Sequence, residues 1–124
     1  MAYKNSEDQA AYMKEHYKRN KDKYKAKSRK RNKEQRKRNK DYVAFVKSLS
    51  CCVDCGEDNP VVLEYDHVRG EKRMCVSDMA RQSYSIKTIQ TEIDKCELRC
   101  ANCHRIVTYE RRENISNLQE LCEQ

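Results

Sequence analysis

Polar side chains fill most of the first fifty positions, and almost no hydrophobic face runs through them. No Gly or Pro occurs over 7–49, and most residues there are good helix formers, so the sequence predicts helix across this range. A single helix of this length would span about 60 Å. Met13, Tyr17 and Tyr24 recur at helical spacing, but no heptad persists. The segment is therefore predicted to be a helical arm rather than a coiled coil.

Hydrophobic spacing returns at the end of the arm and should pack it onto a following domain. The apolar residues at this boundary are Tyr42, Val43, Phe45, Val46 and Leu49. We therefore divide the chain into a basic helical arm over 1–41 and a small domain over 42–124.

Short periodic segments follow the boundary. Alternating apolar residues over 61–65 predict a strand that ends at Asp66-His67, and a second short strand is expected over 72–76.

Two helices are expected in the rest of the domain. Ser85 is a candidate N-cap for a helix that carries isoleucines on one stripe over 86–93. A last helix is expected over 100–112, with a weaker helical tail over 115–121.

Composition indicates that this domain needs a cross-link or a metal to be stable. The chain is 38% charged and 37% hydrophobic, with one Phe and no Trp, so its core is small. Its first residues lead directly into charge without an apolar signal segment, and no apolar run is long enough for a membrane span. We expect no membrane partner and a cytoplasmic location. The eight cysteines should then be reduced thiols and candidate metal ligands.

The charge is divided unevenly along the chain. Residues 1–50 carry a net charge of +11 and residues 51–124 a net charge of −4. A basic arm on a mildly acidic domain favours a polyanionic partner, and double-stranded DNA is the partner we expect. The alternative is a solvated tail that keeps the protein soluble. Candidate phosphate contacts lie in the recurring Lys-Arg-Asn-Lys segments, at Lys18, Arg19, Lys30, Arg31, Lys37 and Arg38.

Two Cys-x2-Cys pairs separated by 44 residues predict a structural zinc site. Each pair supplies two thiolates from one turn, so that two pairs complete a tetrahedron with no open position. Gly56 follows the first pair, as a tight turn around sulfur requires. The predicted ligands are Cys52, Cys55, Cys100 and Cys103. The other thiols, at Cys51, Cys75, Cys96 and Cys122, have no partner at metal-binding spacing.

Histidines adjoin this framework at two places. His67 follows Asp66 at the predicted strand end, and His104 directly follows the last zinc cysteine. His16 lies in the arm and is given no special role.

These two segments resemble those of a known family. Leu63-Glu-Tyr-Asp-His67 and Leu98-Arg-Cys-Ala-Asn-Cys-His-Arg-Ile-Val-Thr108 are similar to the HNH endonucleases with paired zinc cysteines, which are common in phages and bacteria, and the likeness covers about residues 45–112. It implies a small α+β domain with the ββα-metal, treble-clef-like fold. It further implies a metal-dependent DNA endonuclease that leaves 5′-phosphate and 3′-hydroxyl ends, in the cytoplasm of a bacterium or a phage-infected host. By this resemblance His67 is the general base, and Asp66 and His104 hold a catalytic ion distinct from the zinc.

The chemistry of phosphodiester hydrolysis suits these side chains. A neutral imidazole can take a proton from water near pH 7. One carboxylate and one imidazole leave several coordination positions for water and phosphate, which suits Mg²⁺ or Mn²⁺. A zinc-dependent relative would carry a second histidine four residues after His104, where this chain has Thr108.

The chain departs from the family pattern at one position. The middle Asn of the motif lies five residues before the third zinc cysteine and braces the loop behind the base, but this chain has Lys95 there. We expect the helix that follows Ser85 to brace the loop instead.

Arg105, Arg111 and Arg112 fall on the last helix and are further candidate phosphate contacts. Two alternatives to the nuclease remain at this point. One is a catalytically silent zinc module that binds DNA or RNA through the arm, and the other is a zinc domain for protein interaction.

Overall fold

A computed structural model describes residues 5–123, apart from the side chains of residues 115–120 and 123. The helices and strands are α1 (Ser6–Arg19), α2 (Lys21–Ser48), β1 (Leu63–His67), α3 (Val76–Ala80), α4 (Ile86–Ile93), β2 (Cys96–Cys100) and α5 (Ala101–Glu123), with a 3₁₀ turn at Pro60–Val62. The domain is a small α+β unit built on a two-stranded antiparallel sheet. No helix in the described part of the chain is long and apolar enough to cross a membrane.

The arm consists of two helices rather than one. Asn20 interrupts the predicted helix with backbone angles of φ −112° and ψ 18°, and its side-chain amide donates to the His16 carbonyl at 2.9 Å. Across this break the Tyr24 hydroxyl and His16 Nδ1 lie 3.0 Å apart. Helix is thus confirmed over nearly the whole predicted range, with a hinge-like discontinuity that the absence of Gly and Pro did not signal.

The end of α2 packs on the domain through only part of the expected apolar set. Val43 is buried, and Tyr42 and Val46 pack beside it against α3 and α4. Phe45 and Leu49 remain exposed, so the prediction was wrong for these two residues. The reason for Phe45 is helical geometry, because two residues correspond to about 200° and place it on the face opposite to Val43.

A buried amide extends this contact towards the start of the chain. Asn39 is fully buried and donates 2.9 Å hydrogen bonds to the carbonyls of Gln82 and Tyr84. Its own oxygen accepts a hydrogen bond from Gln35. Docking of α2 therefore involves residues on both sides of position 41, where we had divided the chain.

The partner of β1 is not the predicted one. β1 pairs antiparallel with β2, in a register that sets Leu63 opposite Cys100 and His67 opposite Cys96. Residues 72–75 form no strand, and Val76 begins α3. The expected second strand fails because this segment leaves the sheet: the Arg73 N–H is bound by a carboxylate of α4, and Val76 is buried in the core.

Both predicted helices of the domain are present. The Ser85 side chain accepts a hydrogen bond from the Thr88 N–H and caps α4, as predicted. Ile89 and Ile93 are buried on the predicted stripe. α5 continues without a break to Glu123, and the side chains of most of the predicted tail, residues 115–120, lie outside the described part.

Two small hydrophobic clusters flank the sheet. The larger one joins α2, α3 and α4 around Met79 and Ile89. The smaller one contains Leu63 and Leu98 together with two of the predicted zinc cysteines. Tyr65 packs against both, so β1 connects them.

Candidate metal centre and the cleft beside it

The four predicted zinc cysteines converge on one point. The sulfur atoms of Cys52, Cys55, Cys100 and Cys103 all lie within 4.8 Å of one another. Among the side chains that the structure describes, this is the one group of three or more Cys, His, Asp or Glu residues close enough to hold a metal ion. Four thiolates at such separations match the tetrahedral site of structural zinc, so the residues fit the ion.

Local structure places each pair of cysteines. Gly56 adopts φ +79°, and its N–H donates to the Cys52 carbonyl, which closes the first turn. Cys100 ends β2 and Cys103 lies in the first turn of α5, where its N–H donates to the Cys100 sulfur at 3.4 Å. A strand end and a helix start thus hold the second pair, and a loop before β1 holds the first.

Backbone groups prepare one of these thiols for metal binding. Burial raises the pKa of Cys52, but backbone hydrogen bonds from Cys100, Cys55 and Asp54 outweigh it and lower the pKa to about 6. The pKa of Cys103 is raised, because hydrogen bonds with the Cys100 and Cys55 thiols hold its proton. Metal binding therefore has to release protons from this cluster, as metal ligation by thiols generally does.

Asp66, His67 and His104 all line one cleft of about 430 Å³. Asp66 and His67 are the last residues of β1, and His104 lies in the first turn of α5. The structure thus brings together the three residues that the sequence singled out.

Asp66 is the most enclosed acidic group of this cleft. It is 4% exposed, and its carboxylate accepts hydrogen bonds from Arg99 at 2.6 Å and from Arg111 at 3.0 and 3.1 Å. Burial raises the pKa of Asp66, but the hydrogen bond and charge of Arg111, with His104 and Arg99, bring it below its ordinary value. The side chain is therefore a carboxylate at neutral pH.

His104 is held from both sides. Its Nδ1 lies 2.7 Å from Oε2 of Glu64, and its Nε2 lies 3.5 Å from Oδ1 of Asp66. The carboxylate of Glu64 accepts from Nδ1–H, which leaves Nε2 directed at Asp66. Sequence reasoning missed Glu64, although its position two residues before Asp66 puts both on one face of β1.

The Asp66–His104 pair is compatible with a divalent ion. Ligand atoms lie about 2.1 Å from Mg²⁺, so Asp66 Oδ1 and His104 Nε2 are close enough to bind the same ion. Arg111 occupies part of the Asp66 carboxylate, but its side chain is 46% exposed and can be displaced without unpacking the core. The Thr108 hydroxyl donates to the His104 carbonyl within α5 and adds no ligand.

His67 contacts a buried acid that the sequence did not reveal. Its Nε2 lies 2.9 Å from Oε1 of Glu92, a residue of α4 that is 2% exposed. The same oxygen accepts the Arg73 N–H, and Oε2 accepts from Lys95 Nζ at 2.9 Å. Burial raises the pKa of Glu92, but these partners, Lys95 foremost, lower it to about 2.

Lys95 holds the loop that follows β1, at the position where the HNH motif has Asn. Its ammonium donates to the Glu71 carbonyl at 2.8 Å, and its carbonyl accepts the N–H groups of Val68 and Arg69. Together with Glu92 it fastens the segment that follows β1 to α4. The helix after Ser85 thus contacts this loop through Glu92.

The candidate phosphate contacts differ in their surroundings. The six arm residues, Lys18, Arg19, Lys30, Arg31, Lys37 and Arg38, are all exposed. Arg105 and Arg112 line a second cleft that shares His104 with the first, whereas Arg111 is engaged by Asp66. Their contact with nucleic acid stays a prediction.

Comparisons of this chain with models of protein families, with curated proteins and with solved structures each find no match.

Proposed function

We propose that this chain is a metal-dependent DNA endonuclease of the HNH type, which hydrolyses phosphodiester bonds to 5′-phosphate and 3′-hydroxyl ends. The observation that carries the proposal is the convergence of Asp66, His67 and His104 on one cleft beside a four-cysteine cluster. A protein that only binds nucleic acid has no need of a buried carboxylate and two imidazoles in one cleft.

The arrangement of the elements supports a ββα-metal fold. β1 and β2 form the antiparallel pair, α5 follows β2 directly, and the helices α3 and α4 lie between the strands in the chain. The side chains assigned to metal and base come from the end of β1 and the start of α5, and the zinc cysteines lie in the loop before β1 and around the start of α5.

Each residue of the cleft has a distinct task in this proposal. Asp66 and His104 would hold Mg²⁺ or Mn²⁺, which when bound neutralises charge on the scissile phosphate and the leaving 3′ oxygen. His67 takes a proton from the attacking water. The basic arm supplies attraction for the DNA backbone, since the domain that carries the cleft is net negative.

The second candidate is a catalytically silent zinc module that binds DNA or RNA through the arm. The observation that favours it is the double guanidinium contact on Asp66, which satisfies that carboxylate without a metal ion. The two functions differ in whether the cleft acts on the bound nucleic acid.

Incubation of the purified protein with supercoiled plasmid and Mg²⁺, Mn²⁺ or EDTA separates the two candidates. We expect nicked or linear DNA only with a metal ion. His67→Ala should lower the rate by about 10²–10⁴-fold, the range for loss of a general base, and keep DNA affinity. His16→Ala removes the arm histidine and is the matched control, with an unchanged rate.

Variants of the proposed ligands test the metal assignment. Asp66→Asn and His104→Ala should raise the metal concentration needed for half-maximal cleavage. Cleavage by His67→Ala at the wild-type rate would contradict the role of the base. Retention of DNA without cleavage under any metal would establish the silent module instead.

A further inference from the structure

We propose that Glu92 is the positioning residue of His67: it accepts a hydrogen bond from Nε2–H and thereby leaves Nδ1 as the nitrogen that takes up a proton in the cleft. This inference rests on the proposed function, because it gives His67 the role of the base.

The Glu92 carboxylate lies in the interior of the domain. A charged group that is 2% exposed has lost most of its hydration, and such a group is stable only when charges and hydrogen bonds replace the water. Glu92 has three such partners: the His67 ring, the Arg73 N–H and the Lys95 ammonium. Two of them brace the loop, and the third is a side chain of the cleft.

Glu92 and Lys95 balance each other in charge. Lys95 neutralises Glu92 through Oε2, at a distance of 2.9 Å, so the pair carries no net charge. Oε1 is thus left to accept hydrogen bonds from the Arg73 N–H and from an N–H of the His67 ring.

The other ring nitrogen of His67, Nδ1, is left for the cleft. A neutral imidazole has one donor and one acceptor, and the contact with Glu92 assigns the donor to Nε2. Nδ1 has no hydrogen-bond partner among the residues that the structure describes, and His67 lines the cleft that holds Asp66 and His104. The ring is thus fixed in orientation and tautomer by a group that does not itself touch the cleft.

Two double variants isolate the acceptor. Glu92→Gln/Lys95→Met, the glutamine variant, keeps an oxygen for His67. Glu92→Met/Lys95→Met, the methionine variant, removes it. The two proteins have the same net charge and nearly the same side-chain shape. Zinc content and thermal melting establish that both are folded before any other comparison is made.

Proton NMR of ¹⁵N-histidine protein gives a readout that does not depend on cleavage. A hydrogen-bonded, enclosed imidazole N–H exchanges slowly enough with water to be observed, and the signal of His67 is assigned by its loss in His67→Ala. We expect the Nε2–H signal in the wild type and in the glutamine variant, and its loss in the methionine variant. The Arg73 amide, followed by hydrogen exchange, reports separately on the loop.

Cleavage rates complete the test. At saturating DNA and metal, the methionine variant should be about 10–100-fold slower than the glutamine variant, the usual effect of removing a group that orients an active-site histidine. Equal rates, or the same Nε2–H signal in both double variants, would overturn the proposal. The proposal would also be overturned if the methionine variant cleaved more slowly and exchanged its Arg73 amide faster but kept the His67 Nε2–H signal, because the slower cleavage would then come from the loop.

Failure of the proposed function gives a different result. A wild-type protein that cleaves no DNA with any metal overturns the nuclease assignment, and the proton spectra still decide whether Glu92 holds Nε2. If the methionine variant loses zinc, the wild-type spectrum is decisive, because absence of a slowly exchanging His67 Nε2–H overturns the contact itself.

Discussion

Arg99→Met should destabilise the zinc-loaded protein by about 2–4 kcal/mol. Arg99 is only 11% exposed and contacts three carboxylates, at 2.6 Å for Asp66, 2.8 Å for Asp54 and 3.0 Å for Glu97. The hydrogen bond to enclosed Asp66 contributes about 1.5–3 kcal/mol, as is usual for a charged partner. Asp54 and Glu97 are more than one third exposed, so each adds at most about 1 kcal/mol.

Arg111→Met is the matched control for this variant. Arg111 binds the same carboxylate but is 46% exposed, so water replaces much of its interaction and the expected loss is about 1 kcal/mol or less. Arg99→Lys should fall between the two, because an ammonium cannot bridge Asp54 and Asp66 as a planar guanidinium does.

Denaturation by urea at neutral pH, followed by the helical circular dichroism signal, measures these differences. The comparison requires saturating zinc, so that metal loss does not enter the free energy of unfolding. If Arg99→Met lowers the free energy of unfolding by no more than Arg111→Met does, the enclosure of the Asp66–Arg99 pair adds nothing to stability, and the prediction is refuted.

Two further predictions concern the metal and the arm. The purified protein should contain about one zinc per chain, and Cys52→Ser should be largely unfolded while the exposed neighbour variant Cys51→Ser keeps its zinc; a zinc-free protein with an unchanged melting transition would contradict this. Deletion of residues 1–30 removes ten Lys and Arg but keeps Gln35 and Asn39, so the domain should fold and cleave at low salt. Each lost phosphate contact should flatten the slope of log affinity against log salt by about 0.9, and an unchanged slope in a binding titration would mean that the removed part is only a solvated tail.

The zinc ligands were predictable because their signal is local. Each Cys-x2-Cys pair is a single turn, and two such turns need only be brought together. The second strand was not predictable in the same way. Side-chain burial alternates at the end of residues 96–100, where Leu98 and Cys100 are buried. The segment is short, however, and Cys100 indicates a metal ligand before it indicates a strand. Only the register with β1 decides between 72–76 and 96–100.

The burial of polar residues was the main feature that was not predicted from the sequence. Asn39 and Glu92 look like surface positions of polar helices. Each has a local partner, Gln35 or Lys95, but the other partners lie 43 and 45 positions away for Asn39 and 19 and 25 positions away for Glu92. Glu92 carried one local signal, since it lies three residues after Ile89 and therefore on the apolar face of α4. A charged residue on such a face has to find a partner in the interior, but the pattern does not name it.

Side-chain contacts and chain connections join the four-cysteine cluster to the cleft. Asp54 lies between the first two cysteines, and its contact with Arg99 connects that loop to the carboxylate of Asp66. Cys103 precedes His104, so the second cysteine pair sets the start of α5 and with it the imidazole.

His67 follows Asp66 in β1 and is held from the other face of that strand. Its partner Glu92 belongs to α4, which packs in the larger hydrophobic cluster with α2 and α3. The cleft thus lies between the four-cysteine cluster on one side and the apolar packing of α2, α3 and α4 on the other. As zinc is removed, Asp66 and His104 should therefore be displaced first, and the Glu92–His67 contact should be lost only when the domain as a whole unfolds.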